Sequence, residues 1–356
     1  MDSLTQVVLG AAVGHATAGE RLGRKAAAVG CLAGTLPDLD VLAYPFLDPA
    51  SELLFHRGLT HGLAFGLVAG TALGWLSWRI ATWRAPAGPA AASPRPWILL
   101  WVLVLVTHSL LDAFTVYGTQ LLAPFSNHPF AVSSVFIIDP LYTVPLLACL
   151  VVALLRKAPR WAAVGLAIST VYLGWGVAAQ AHVRGTVQDA LAERGMPPER
   201  LLVAAGPLTS LWWRGIAEHD GQIWPVSVHL LDPPRDVEIG EPLAPADLPP
   251  AAAESRTGQT LRWFSRDWLV RLDEVGNTVR VADPRFGRAG EGTEAPFVFT
   301  WAVSTEPPYA FRQLPLATSL DAEVFREIFR RYRFTRPDPA GDLARSTSDP
   351  SRSSTP

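Results

Sequence analysis

Cysteine is nearly absent from this chain: its 356 residues include two, Cys31 and Cys149. Two thiols in apolar stretches supply neither a disulfide framework nor a Cys-based zinc site, and they read as small buried packing groups. Charge is scarce as well. Asp, Glu, Lys and Arg make up 17% of the residues and the mean hydropathy is +0.21, whereas an ordinary soluble protein is roughly 25% charged. Neither sign of charge predominates. The formal net charge is −2 and no long basic run occurs, which removes the electrostatic footprint expected of a nucleic-acid binder. No basic leader precedes the first apolar run, Asp2 standing there instead, so the N-terminus reads as part of the mature protein and not as a cleaved signal peptide. Internal repeats are also lacking.

The deficit of charge is confined to one half. Residues 1–183 hold 10 Lys or Arg and 8 Asp or Glu, while the remaining 173 hold 20 and 24. That is about 10% charged against about 25%, the second figure being that of a soluble domain. The sequence therefore predicts an all-α polytopic membrane domain over 1–183, a smaller β-rich extramembrane domain over 184–336, and a disordered tail over 337–356, rich in Ser, Pro, Asp and Arg.

Apolar stretches fall at 4–18, 26–36, 63–83, 97–114, 135–155 and 161–181. The last four approach the ~20 residues that span a bilayer, and the first two are short and rich in small residues, suited to tight helix packing or partial insertion. Prolines at 86, 89, 94 and 96 mark a loop. Beyond 183 an amphipathic helix leaves the membrane and breaks at Pro197 and Pro198. Stretches 208–217, 223–231, 268–272, 278–282 and 297–303 are rich in β-branched and aromatic residues and read as strands, with a Pro/Ala/Glu linker near 240–253.

Lys and Arg in short loops set membrane orientation. Arg21, Arg24 and Lys25, then Arg79, Arg84 and Arg95, then Arg156, Lys157 and Arg160 mark cytoplasmic connections, while the loop over 115–134 has no Lys or Arg. Alternation puts Asp2, the segment 37–61 and the C-terminal domain on the non-cytoplasmic side.

Ionisable groups in so apolar a background are costly and need a partner, water or a metal. Four sets stand out. Asp38 and Asp40 follow Pro37 at the end of the second apolar stretch, as metal or proton-handling carboxylates or as solvated acids of a helix-ending turn. His56, Arg57 and His61 open the third stretch; the imidazoles suit a metal and the guanidinium an anionic oxygen, or the set is a headgroup-facing patch. His108 and Asp112, at i and i+4, share one helix face. Either both bind metal, or Asp112 orients a His108 that does, or the pair only ties helices together. Asp139 precedes Pro140 and is either part of the site or a helix N-cap.

The orientation rule gathers Asp38, Asp40, His56, His61, Asp112 and Asp139 at the outer ends of their helices, with His108 one turn deeper. Three imidazoles and several carboxylates form a mixed N/O donor set for one or two divalent transition metals, Zn²⁺ first and Mn²⁺ or Fe²⁺ as alternatives, in preference to Ca²⁺. Asp2 and Gln6, also at i and i+4, fall on the same side and join Asp139 as candidates for supporting the ligands. His15 reads as packing, His128 as a loop residue and His182 as interfacial.

At these residues the sequence resembles the bacterial membrane-bound metal-dependent hydrolases, the YdjM-like inner-membrane proteins. The matching pieces are Met-Asp-Ser-Leu-Thr-Gln at 1–6, Ala-Gly-Thr-Leu-Pro-Asp-Leu-Asp at 33–40, His-Arg-Gly-Leu-Thr-His at 56–61, His-Ser-Leu-Leu-Asp at 108–112, Tyr-Gly-Thr-Gln at 117–120 and Phe-Ile-Ile-Asp-Pro at 136–140. The resemblance implies a helical hydrolase with a His/Asp metal site, distantly similar to zinc-dependent phospholipase C and the helical single-strand nucleases. It implies Asp38, Asp40, His56, His61, His108 and Asp112 as ligands. Gln6 stands where many members have His, and Gly62 where a serine is common. Trp-Phe-Ser at 263–265 and Asp-Pro-Arg-Phe-Gly at 283–287 resemble an extension carried by one branch, with no chemistry attached.

The expected function is metal-dependent hydrolysis of a phosphoester or lipid-like small molecule at the outer face of the inner membrane. His56, His61, His108 and Asp112 would bind metal, Asp38 or Asp40 would be a further ligand or general base, and Arg57 would steady negative charge. The expected partners are the lipid bilayer and that substrate, with no nucleic acid; the sequence does not identify a protein partner for the soluble domain. The alternatives are an ion- or proton-handling transporter and a structural or regulatory membrane protein stapled by a metal.

Overall fold

The computed structural model describes residues 1–86, 88, 92–290 and 295–316. The expected tail over 337–356 lies outside the described residues. The chain forms an N-terminal helical region with four candidate apolar spans, followed by a C-terminal domain of two antiparallel sheets.

Helix α1 (Ser3–Leu22) is capped by Asp2 and ends at Gly23, whose φ of 59° turns the chain into α2 (Arg24–Thr35). The pair packs through glycines four apart. A Cβ on Gly30 would lie 2.1 Å from the Gly10 carbonyl oxygen, and one on Gly14 or Gly34 would lie 2.6 Å from a carbonyl oxygen of the opposing helix. Small residues at this spacing allow two helix backbones to touch. α1 is thereby enclosed among the other helices, its Val8, Leu9 and Ala12 sharing a core with Leu100, Val104 and Leu146.

The chain then runs through a 3₁₀ segment (Pro37–Phe46), α3 (Pro49–Phe55), a 3₁₀ turn (Leu59–His61) and α4 (Leu63–Arg84). Gly66, Gly70 and Gly74 of α4 lie against α5 (Arg95–Asp112); a Cβ on Gly74 would be 2.5 Å from the Ile98 Cα. The opposite face of α4 exposes Leu67, Val68, Trp75 and Trp83, an arrangement that water would penalise and lipid would not. α6 (Pro140–Arg156) and α7 (Arg160–Glu193) complete the helical region. At 34 residues α7 is about 50 Å long, enough to cross a bilayer and carry on into the C-terminal domain.

The helices long and apolar enough to cross a membrane are Arg24–Phe46, Leu63–Arg84, Arg95–Asp112 and Arg160–Glu193. The sequence also predicts four, with a different membership. Leu36 stays in the α conformation, so α2 runs into the 3₁₀ segment across Pro37 and gains a span's length. Conversely 135–139 is not helical, because Asp139 caps α6 at Pro140 and leaves a helix of 17 residues.

In the C-terminal domain, β1 (Arg200–Ala205), β2 (Trp212–His219), β3 (Gln222–His229) and β4 (Glu238–Ile239) form one sheet in that order. Helices α8 (Pro250–Glu254) and α9 (Arg256–Ser265) lead to the second sheet, β5 (Val270–Val275), β6 (Thr278–Ala282), β7 (Thr300–Ser304) and β8 (Phe311–Gln313). Alternation orients β6: Val279 and Val281 point inward on either side of exposed Arg280, and Val281 pairs with Trp301 of β7. The first sheet packs Val203, Trp213 and Val226 on Val183, Val187 and Leu191 of α7. The second buries Trp301 and Val281 with Phe264 of α9 and with Ala50 and Leu53 of α3. The C-terminal domain therefore sits on the end of the helical region that carries α3 and the 115–139 connection.

Candidate metal centre

Three chain segments deliver four side chains to one point. Asp38 comes from the first turn of the 3₁₀ segment, His61 from the 3₁₀ turn before α4, and His108 and Asp112 from successive turns of α5. One donor atom from each lies within 4.8 Å of all the others. His61 Nε2 is 3.2 Å from His108 Nε2, 3.3 Å from Asp38 Oδ1 and 3.3 Å from Asp112 Oδ2. His108 Nε2 is 3.4 Å from Asp38 Oδ1 and 3.7 Å from Asp112 Oδ2. Tetrahedral coordination with bonds of ~2.0–2.1 Å to nitrogen and oxygen separates the donors by about 3.3 Å, and these five separations, 3.2–3.7 Å, lie close to it.

The hydrogen bonds behind the donors agree with that geometry. His108 Nδ1 lies 2.8 Å from the Gly34 carbonyl oxygen, a partner to which only an Nδ1–H can donate, so Nε2 carries the lone pair a metal needs. Close packing of α1 on α2 brings Gly34 there. His61 Nδ1 faces Thr60 Oγ1 at 3.1 Å and Asp40 Oδ2 at 3.7 Å, which again turns Nε2 to the centre. Asp112 Oδ1 accepts hydrogen bonds from Gln6 Nε2, at 3.0 Å, and from the main-chain nitrogen of Met1. Asp112 Oδ2, fully buried, accepts none. That oxygen has the Arg57 Nε 3.3 Å away but outside hydrogen-bond geometry, and it faces two imidazole lone pairs, acceptors that a bound cation would satisfy.

Asp40 and His56, two of the six expected ligands, stand outside the four-donor group. Asp40 is buried and accepts from the Arg57 amide at 3.0 Å, with His56 Nδ1 at 3.1 Å from its other oxygen. His56 turns its ring to Tyr117, with centroids 5.2 Å apart. The divergence is built into the backbone: Arg57 takes a left-handed φ of 54°, which swings positions 56 and 61 apart. His56→Ala is accordingly expected to leave the metal content of the purified chain at the wild-type level, as elemental analysis would register.

Arg57 is buried beneath the centre. Its Nε is 3.3 Å from Asp112 Oδ2, its Nη1 donates to Thr115 Oγ1 at 2.8 Å, and the guanidinium stacks 4.9 Å from the centre of the Tyr117 ring. Burial holds the Tyr117 phenol above its ordinary pKa, so the ring is a neutral platform. Of the expected supporting residues, Gln6 touches the site through Asp112. Asp2 is the N-cap of α1, accepting from Thr5 N at 3.1 Å, and Asp139 is the N-cap of α6, accepting from Leu141 N at 3.0 Å and Tyr172 Oη at 2.8 Å. His15 is buried against Gly19, His182 is exposed on α7, and His128 lines a surface groove with α9.

Sequence reasoning missed Gly34, Thr60, Thr115 and Tyr117 as supports. Tyr117 lay in a family-like segment, but nothing in that segment marks a ring that packs between Arg57 and the C-terminal domain, where it meets Phe264 at 5.1 Å. The domain is fastened around this end by Arg256 to Asp48 at 3.0 Å, Arg266 Nη2 to the Val116 carbonyl at 2.7 Å and Trp263 Nε1 to the Asn127 carbonyl at 3.0 Å.

No curated protein and no solved structure matches the chain. A family model described as YdjM inner membrane protein matches residues 1–183, the segment that holds every member of the four-donor group. With its candidate spans and its possible metal site at one end of them, the chain is a membrane protein and belongs to the YdjM inner membrane protein family.

Proposed function

We propose that this protein is a membrane-embedded, metal-dependent hydrolase acting on a phosphoester, with the reacting centre at the end of the helices covered by the C-terminal domain and facing the non-cytoplasmic side. The observation that carries the reading is the asymmetry of the four donors: His61, His108 and Asp112 are fully enclosed, whereas the Asp38 side chain is 21% exposed. Catalytic zinc sites keep three protein ligands and one position open to water or substrate. Zn²⁺ suits two imidazoles with carboxylates, and when bound it would lower the pKa of a water and polarise the phosphoryl oxygen.

His61, His108 and Asp112 hold the ion in this reading. Asp38, on the open side, takes the proton of the attacking water or shares the fourth position. Asp40 orients His61, and Arg57 fixes Asp112 in place, its guanidinium being engaged below the ligands and not at the opening.

The near-complete tetrahedron favours a second reading, in which all four side chains close around a structural ion. One comparison separates the two. The purified chain in neutral detergent, assayed on p-nitrophenyl phosphate and bis-p-nitrophenyl phosphate, is expected to show turnover that a chelator abolishes and Zn²⁺ or Mn²⁺ restores. Asp38→Asn should lower kcat by about 10²–10⁴-fold, the usual contribution of a positioned acid–base group, while retaining metal. Stoichiometric metal with no turnover in wild type would leave the structural ion as the answer.

A further inference from the structure

The C-terminal domain carries a concentration of arginine that the metal centre does not use. Arg285 is ion-paired with the buried Asp283 carboxylate, and Arg214 and Arg266 lie near enough to feel its charge. Each guanidinium donates to a main-chain carbonyl: Arg214 to Phe286, Arg266 to Val116, and Arg285 to Phe264 at 2.5 Å. Each also retains one buried nitrogen without an acceptor, namely Arg214 Nε, Arg266 Nε and Arg285 Nη1. Burial, reinforced by the like charge of Arg285, lowers Arg266 to a pKa of about 10, so it remains a cation at neutral pH. Three desolvated cations against one anion leave an excess of positive charge that an anion would relieve.

Arg266 connects this cluster to the surface. It lines an open groove of about 420 Å³ between α9 and the 126–130 loop, together with His128, Gln259, Arg262, Trp263 and Asp267. Asp267, the carboxylate of the groove, is already engaged by Arg262 Nε at 2.8 Å. Arg266 is the left-handed C-cap of α9, its amide donating back to the Arg262 and Trp263 carbonyls, and Asp267 follows with φ of 59°, so the helix end turns the chain at the edge of the groove. Immediately before the loop that forms the other wall, Leu122 and Phe125 are exposed, the latter 87% accessible. In a membrane protein, apolar tips of this kind belong in lipid, and a Trp/Arg groove beside them falls at headgroup depth.

We propose that this groove binds the phosphate group of an anionic membrane lipid, with Arg262 and Arg266 as the donors and His128 and Trp263 as its walls. The motifs Trp-Phe-Ser at 263–265 and Asp-Pro-Arg-Phe-Gly at 283–287 then have a physical role: the first supplies the indole wall, and the second places Arg285 and Asp283 behind Arg266. The site is independent of the metal-centre reading, because none of its residues belongs to the four-donor group.

The test is calorimetric titration of the full chain in neutral detergent with a short-chain phosphatidylglycerol, the matching diacylglycerol and inorganic phosphate. Saturable binding of the phosphatidylglycerol is expected, with none of the diacylglycerol and weaker binding of free phosphate. Charge-assisted bonds to phosphate are strong, so Arg262→Gln and Arg266→Gln should each weaken lipid binding about tenfold. The Arg262 side chain is 60% exposed, so its replacement leaves the fold intact and decides the outcome even if Arg266→Gln destabilises the domain. Equal affinity of wild type and Arg262→Gln for the lipid would overturn the site, and free phosphate binding as tightly as the lipid would overturn the lipid as its occupant.

Discussion

His61→Ala and His108→Ala are each expected to reduce the bound transition metal from about one ion per chain to background, as elemental analysis after purification in neutral detergent would register. The expectation follows from how little else is available. His61 Nε2 is the most central donor, lying 3.2–3.3 Å from the other three. His108 is the ligand whose tautomer is fixed from behind, by Gly34. Removing one imidazole leaves a single nitrogen and two carboxylates, which are held apart by their own repulsion. Loss of an outer hydrogen-bond partner costs metal sites about 10–100-fold in affinity, and loss of a ligand costs more. Asp40 and His56 are too committed to substitute, being bonded to each other and to the Arg57 amide. Stoichiometric metal in both variants would sink the assignment. Metal retained by His56→Ala and lost by His61→Ala would separate two histidines that the sequence presents as equals.

That contrast marks what the sequence discloses. Polar groups are expensive in an apolar background, so the eight acids and few histidines of residues 1–183 point to the end of the helices where the four-donor group lies. The i, i+4 spacing put His108 and Asp112 on one face because α5 is a regular helix there. Irregular backbone defeated the same logic elsewhere. Asp38 and Asp40 lie in a 3₁₀ segment, where each residue advances about 120°; two positions apart, they diverge, one to the centre and the other to His56. His56 and His61 are divided by the left-handed Arg57. Hydropathy passed over the central place of α1 because Gly and Ala contribute little to it, although they let α1 and α2 touch. β1 escaped notice for a similar reason: Arg-Leu-Leu-Val-Ala-Ala is an indifferent strand former that is held extended by pairing with β2. The contacts of Tyr117 with Phe264, Phe286 and Phe299 join residues more than a hundred positions apart, and no local pattern encodes them.

Asp112→Ala should be the most destabilising single change at the site, and for a reason separable from metal loss. The Asp112 carboxylate and the Arg57 guanidinium are both buried, with Arg57 Nε 3.3 Å from Asp112 Oδ2. Removing one member of a buried pair strands the other charge without solvent, at a cost of about 3–5 kcal/mol. The stack on Tyr117 and the bond to Thr115 offset only part of this, since neither supplies a negative charge. Unfolding by denaturing detergent, with chelator in every sample so that metal contributes to none, isolates the effect. His61→Ala under those conditions removes an imidazole and strands no ion, so it should cost less than Asp112→Ala. Adding Arg57→Met to Asp112→Ala removes the orphaned charge while keeping much of the side-chain volume, and the double variant should recover about 1–3 kcal/mol relative to Asp112→Ala alone, as coupled contacts do. If the two losses simply added, Arg57 would be bound to something other than Asp112, and its role beneath the metal centre would have to be abandoned.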